Sequence, residues 1–128
     1  MLVKFHWGGK LVFALGAGTM VSYFVRYRGK AADPAAFFRY YRDRHAAILR
    51  TFPRIKSLVL HTPAAFNDPF PVQAGGTALL ARMLFPDQAG LEAALQSDAR
   101  KQAREDIARF GAFDGEITHE ALSAEVIF

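Results

Sequence analysis

From Met20 onward the chain alternates. Val21, Tyr23, Val25 and Tyr27 are interleaved with Ser22, Phe24, Arg26 and Arg28. This is the period-two pattern of a half-buried strand, and it predicts a strand ending at Gly29. Asp33-Pro34 then reads as a helix start, with Asp at the cap and Pro in the first turn, where its missing N–H costs nothing. That helix is expected to run to about Thr51 and to stop before Pro53. Ile55 to His61 alternate again as a second strand, and Thr62 to Gly76 form a long loop with three prolines. Thr77 to Phe85 make a third strand. After Pro86-Asp87 come two helices in series, the second capped at Ser97 or Asp98 and carrying Ala99, Ala103, Ile107 and Phe110 as an apolar stripe that ends at Gly111. Ile117 to Phe128 read as the last strand.

The resulting order, strand-helix-strand-strand-helix-strand, predicts an α+β domain over residues 20–128. Its fold class is ferredoxin-like βαββαβ, an antiparallel sheet with both helices on one face. The other sheet face then needs a cover, most simply a second copy of the chain in a homodimer.

Residues 1–19 follow no clear strand or helix period and contain four glycines. Lys4 and Lys10 followed by Leu11–Ala17 loosely imitate a secretory leader, but the apolar run is short for one and far too short to span a bilayer. They are read as an N-terminal extension. No other segment approaches a membrane-spanning length.

Composition narrows the function classes. The chain has 128 residues, 52% hydrophobic and 22% charged, enough for one domain with its own core. It has no cysteine, which removes disulfides, thiolate metal sites and a thiol nucleophile, and fits a reducing cytoplasm. Twelve phenylalanines can fill a core or wall a cavity for an apolar ligand. The net charge of +4 is unevenly spread: residues 1–60 hold eleven Lys/Arg against Asp33 and Asp43, while residues 61–128 hold five basic and ten acidic side chains. The basic residues stand singly along a strand and a helix. That favours solvated arginines over a nucleic-acid site.

Candidate chemistry concentrates on the first helix, where Phe37, Tyr41, His45, Ile48 and Phe52 recur at steps of four, four, three and four. His45 therefore sits among apolar neighbours facing the sheet. Two readings stand: a core histidine satisfied by one or two hydrogen bonds, or a general acid–base with a tunable pKa. For a lone histidine the first is the commoner, and Tyr41 one turn away and His61 on the second strand narrow the gap without deciding between them. Arg26, Arg28, Arg42 and Arg44 are candidate anchors for a carboxylate or enolate oxygen, or ordinary surface charges. Tyr23 on the first strand and Phe37 are candidate walls of a substrate site. Phe66 and Phe70 in the loop are candidate lid residues, or a packed connection. His119 and Glu120 point to opposite faces of the last strand and make no local dyad. The four histidines lack metal-ligand spacing, and Gly16-Ala17-Gly18 opens no strand–turn–helix unit for a dinucleotide.

The run Tyr27-x-Gly29, Pro34, Phe37-Phe38, Tyr40-Tyr41 and His45, continuing through FRYYRDRHAAILRTFPRIKSLVLH to His61, resembles the signature of EthD-like proteins. The helical stretch FPDQAGLEAALQSDARKQAREDIARF fits the same pattern. The resemblance covers residues 20–128 and implies a dimeric α/β barrel, in which the sheets of two subunits close on each other. It places His45 at the motif histidine and Tyr41 as the second tyrosine of the pair, with His61 as an approximate counterpart of a lactone-isomerase residue. Ala46-Ala47 stand where many members carry a proline, so the helix is expected to continue smoothly there.

What the resemblance implies about activity is broad, since relatives include cofactor-free lactone isomerases, cyclases, dehydratases and quinone-forming monooxygenases. Two expectations follow. The chain is a cofactor-independent enzyme on a small aromatic or lactone-like metabolite, with His45 moving a proton and Tyr41 polarising an oxygen. Alternatively it is a non-catalytic accessory that binds an apolar intermediate or an oxygenase partner.

Overall fold

The computed structural model describes the backbone of residues 2–7, 10–15 and 19–128, and the side chains of residues 19–128. Gly16, Ala17 and Gly18, weighed above as a nucleotide loop, lie outside the described residues. The N-terminal stretch departs from expectation. β1 (Leu2–Trp7) and β2 (Lys10–Leu15) pair antiparallel, from Leu2 opposite Leu15 to Trp7 opposite Lys10. The signal was present but short: Val3, Phe5 and Trp7 alternate with Lys4 and His6, ahead of a Gly-Gly dipeptide of the kind that joins hairpin strands.

The domain sheet comprises β3 (Met20–Ala31), β4 (Ser57–His61), β5 (Thr77–Phe85) and β6 (Phe113–Ala124) in spatial order β4-β5-β3-β6, every neighbouring pair antiparallel. The helices are α1 (Pro34–Tyr40), α2 (Ala46–Leu49), α3 (Gln88–Leu95) and α4 (Asp98–Asp106). This is the ferredoxin-like α+β fold. Val21, Tyr23, Val25 and Tyr27 on β3 and Leu79, Ala81, Met83 and Phe85 on β5 are buried with Phe37, Tyr41, Leu49 and Leu91 from the helices, so one core fills the space between sheet and helices. Asp33, Asp87 and Ser97 cap α1, α3 and α4 by accepting from backbone N–H groups.

Strand ends differ from the pattern-based bounds. β3 does not stop at Gly29 but runs to Ala31, and β6 begins four residues earlier than the apolar run, at Phe113. The two glycines are the reason. Gly29 and Gly115 face each other in the ladder at φ 137° and 155°, and a Cβ on either would sit 2.1 Å from Asp114 O or 2.0 Å from Arg28 O. Glycine here continues the pairing at closer range than any side chain allows. Val126, Ile127 and Phe128 lie beyond β6 and are exposed. β4 starts at Ser57, two residues later than expected, because the chain turns through a left-handed Arg54.

The helix carrying His45 is not smooth. Between α1 and α2, Tyr41–His45 form a π-helical turn, in which the Ala46 N–H donates to Tyr41 O, five residues back. No proline is involved. A four-residue step overshoots a turn of about 3.6 residues, so an unbroken α-helix would rotate His45 away from Tyr41. The wider turn absorbs that drift and brings the two rings to 4.7 Å, tilted 59° to each other, on the buried face. Such turns recur where a helix must aim a side chain.

Candidate functional site

His45 has found a partner that the sequence reading did not name. Its Nδ1 lies 2.9 Å from Oδ2 of Asp106, the last residue of α4, and the two side chains are 5% and 4% exposed. Tyr40, one residue before the π turn, donates its hydroxyl to Oδ1 of the same carboxylate at 2.7 Å, and Arg109 Nη1 approaches Oδ1 at 3.4 Å. A buried carboxylate at a helix C-terminus meets both a desolvation cost and an unfavourable dipole. Three donors offset that cost here. Asp106 was legible in one respect: with Ala99, Ala103 and Phe110 it stands at steps of four, three and four, so an acid occupies the apolar stripe of α4.

The electrostatics assign the protons. Burial works against the Asp106 anion, but the hydrogen bonds from Tyr40 and His45 outweigh it, and the carboxyl ends below its ordinary range. Burial holds the His45 imidazole below its usual value, with Asp106 opposing in part. The pair is therefore a carboxylate beside a neutral imidazole near neutrality. A carboxylate only accepts, so Nδ1 carries the proton and Nε2 keeps its lone pair. Nε2 makes no hydrogen bond in the protein, and among the described residues no closed-off polar side-chain atom is left unpaired, so it opens onto the adjoining cavity. Phe110 fixes the ring plane edge-on at 4.5 Å, and Phe110 also packs on Tyr41 and Phe37 at 5.4 and 5.5 Å.

The cavity lies between sheet and helices and has a volume of about 30 Å³. It is lined by the buried Tyr23 and Tyr27 of β3, Tyr41, His45 and Met83, and on its solvent side by the more exposed Arg100 and Arg104 of α4 and His119 of β6. That space holds about two water molecules, so anything larger would need the exposed Arg104 side chain and its neighbours to move aside. Tyr41 as a residue is buried, but its hydroxyl, which makes no hydrogen bond in the protein, is not closed off and borders the same cavity; desolvation raises its pKa well above the ordinary value, which keeps it protonated. Burial raises Tyr27 likewise.

The other predicted site residues divide clearly. Tyr23 lines the cavity with Tyr41 and His45. Phe37 is buried one layer away, 5.4 Å from the Tyr27 ring, and does not line it. His61 is not in the site. It pairs with Leu80 on β5, on the sheet face opposite Ala81 and Met83, and is exposed. Arg26 also lies on that outer face, opposite Thr118 and Leu80, and Arg28 pairs with Glu116 there. Arg42 is engaged with Asp43 at 2.8 Å. Phe66 and Phe70 are exposed; Phe66 lines a second, open groove of about 840 Å³ between loop 62–76 and α1, which Phe37 and Phe38 also border. His119, dismissed as half of a local dyad, faces the cavity, with its ring centroid 6.0 Å from that of Tyr23. Among the described residues no group of three His, Cys, Asp or Glu side chains is placed to hold a metal ion. No helix of the described residues is long and apolar enough to cross a membrane.

A family model described as the EthD domain matches residues 30–114. No curated protein matches the chain by sequence. Among solved structures, an ethyl tert-butyl ether D (EthD) family protein from Bacillus halodurans superposes with a TM-score of 0.63 at 21% identity, covering 80% of this chain and 95% of that one. A hydroxynitrile lyase from Passiflora edulis gives 0.61 at 14% identity, over 87% and 98% of the two chains. A dimeric ferredoxin-like protein from Thermobifida fusca gives 0.60 at 10% identity, over 84% and 92%. At these identities the likeness is one of fold.

Proposed function

The chain belongs to the EthD domain family, and from that premise we propose that it is a proton-transfer enzyme, working without a cofactor, on a small aromatic or lactone-like metabolite. The observation that carries this reading is the Asp106–His45 pair with its free Nε2 opening onto a cavity. Asp106 holds the imidazole in the tautomer that presents a base, as a carboxylate does for any histidine it orients. His45 Nε2 takes a proton from a carbon next to a carbonyl, and the bonding pair moves onto the carbonyl oxygen. The Tyr41 hydroxyl, held protonated by burial, donates to that oxygen. The imidazolium then returns the proton to another atom of the substrate, or to a leaving group. Isomerisation, cyclisation, dehydration and enolate oxidation share this first step. A likeness in fold to a hydroxynitrile lyase agrees with acid–base chemistry on a small molecule.

The assembly belongs to the same proposal. The outer sheet face presents Phe24, Val59, Leu80, Leu84 and Leu122 amid arginines, with Val59 and Leu122 39% and 48% exposed. A second copy closing on that face makes a homodimer, and native mass spectrometry of the purified chain measures it directly. The same spectrum identifies any retained small molecule. A screen of that compound's enols, lactones and phenols against wild type and His45→Gln tests the enzyme: turnover in wild type and none in the variant is expected, and equal turnover in both removes His45 from the chemistry.

A second reading rests on the groove of about 840 Å³ lined by Phe37, Phe38, Phe66 and Leu79. It is large enough for an apolar metabolite. An accessory protein would hold its ligand there with unchanged chemistry, and Phe66→Asp would abolish binding while His45→Gln would not.

A further inference from the structure

We propose that the cavity beside His45 takes an organic anion, a carboxylate on a planar body, whose charge is received by Arg100 and Arg104 of α4 with His119 of β6. This rests on the reading of His45 as the reacting group but concerns a different part of the site. Arg100 and Arg104 are one helical step of four apart and so share a face of α4. Both line the cavity with His45, and His119 faces them from β6. Among the described residues neither guanidinium has a carboxylate partner, although the same helix supplies Asp98, Glu105 and Asp106. Arg100 lies over the Tyr23 ring, 5.9 Å from its centroid, which holds it beside a ring that lines the cavity. Burial and then the two arginines hold the His119 imidazole below its ordinary value. The outer side of the cavity thus carries two positive charges and a neutral N–H donor, an arrangement suited to one carboxylate. The inner cavity is lined instead by tyrosine rings and Met83, with no charged group besides the His45–Asp106 pair behind it. A molecule oriented by this polarity puts its carboxylate outside and its planar, reactive end against His45 and Tyr41.

The register of β6 against β3 agrees with this placement. His119 stands opposite Val25, one ladder step from Tyr23 opposite Ala121 and one from Tyr27 opposite Ile117. The histidine is therefore central in the row that borders the cavity rather than at its margin.

The test uses benzoate, its neutral isostere benzamide and inorganic phosphate, titrated into the full chain by calorimetry and by imidazole NMR. Benzoate is expected to bind at least about tenfold tighter than benzamide and to shift the His119 and His45 resonances. The double variant Arg100→Gln/Arg104→Gln should lose about tenfold in benzoate affinity and nothing in benzamide affinity. Both positions are solvent-accessible, so its thermal midpoint serves as the folding control; Arg104→Lys should recover part of the loss. Equal binding of benzoate and benzamide to wild type, or undiminished benzoate binding in the double variant, overturns the proposal. Phosphate binding as tightly as benzoate overturns the assignment to an organic anion. His45→Gln separates the two readings: it should keep the benzoate preference even if no turnover is ever found.

Discussion

Nδ1 of His45 and Oδ2 of Asp106 lie 2.9 Å apart although 61 residues separate them along the chain. The contact joins the π turn between α1 and α2 to the C-terminal end of α4, and it converts two costly buried groups into one polarised unit. Neither half would be stable alone in this setting, because an isolated buried carboxylate or imidazole loses its hydration without compensation. The adjoining Tyr40 hydroxyl and Arg109 complete the carboxylate's partners.

Replacing Asp106 by Asn keeps the shape and removes the charge. The amide can donate to Nδ1, which moves the proton to Nε2 and blocks the base. Turnover is expected to fall by roughly 10²–10⁴-fold, with a larger effect on kcat than on KM. Asp106→Ala should in addition cost roughly 1–3 kcal/mol in urea unfolding, because the His45 donor loses its acceptor in a closed site. Unchanged kcat in Asp106→Asn would show that the pair is structural.

The pH dependence of kcat/KM follows from the depressed His45 pKa. The proposed mechanism requires neutral His45, so the ascending limb should have a midpoint below the ordinary imidazole value of about 6.5. Asp106 pulls that pKa upward, so in Asp106→Asn the residual activity should titrate at still lower pH. A midpoint at or above 6.5 contradicts the assignment of His45 as the base.

Stability should fall in acid. His45 and His119 both have lowered folded-state pKa values, so below about pH 6.5 the unfolded chain takes up protons that the folded chain refuses. Asp106, also lowered, contributes stability that is present above the ordinary carboxylate range and lost as pH falls through it. Urea midpoints measured from pH 8 to pH 3 should be flat down to about 7, then decline, with a steeper drop near 4. His45→Gln should flatten the first decline, and a midpoint that rises on acidification would refute the signs.

Gly29→Ala or Gly115→Ala should each cost about 3 kcal/mol or more. Either Cβ would collide with opposing backbone at 2.1 or 2.0 Å, and backbone cannot yield as a side chain can. Gly75→Ala is the control, since nothing lies within 4 Å of its added methyl; it should stay within about 0.5 kcal/mol of wild type. Circular dichroism melts of the three variants compare them directly.

Local periodicity already contained the fold. The alternation in β3 and β5 and the stripe Phe37, Tyr41, His45 are properties of residues close in sequence, and a side chain's face follows from its step along a strand or helix. The Tyr40-Tyr41 and His45 motif likewise lies within one continuous helical stretch, so the family is legible from residues close in sequence. The strand containing His61 was less tractable, because β4 carries apolar side chains at Leu58, Val59 and Leu60, on both faces. Its parity is decided by pairing with β5, and that pairing sends His61 outward.

The chemistry of the site depended on distance in space. Periodicity placed His45 on a buried face but was silent on which of the chain's twelve carboxylates would meet it, since α4, which carries that carboxylate, comes far along the chain and meets α2 only through tertiary packing. The same packing brings Arg100 and Arg104 to the cavity and leaves Arg26 and Arg28 on the outer face. Residue types and their local period therefore determined that His45 would be buried beside Tyr41. Only the packing of distant elements supplied the carboxylate that orients it, because hydrogen bonds and burial are set by separations of a few ångströms that no local pattern encodes.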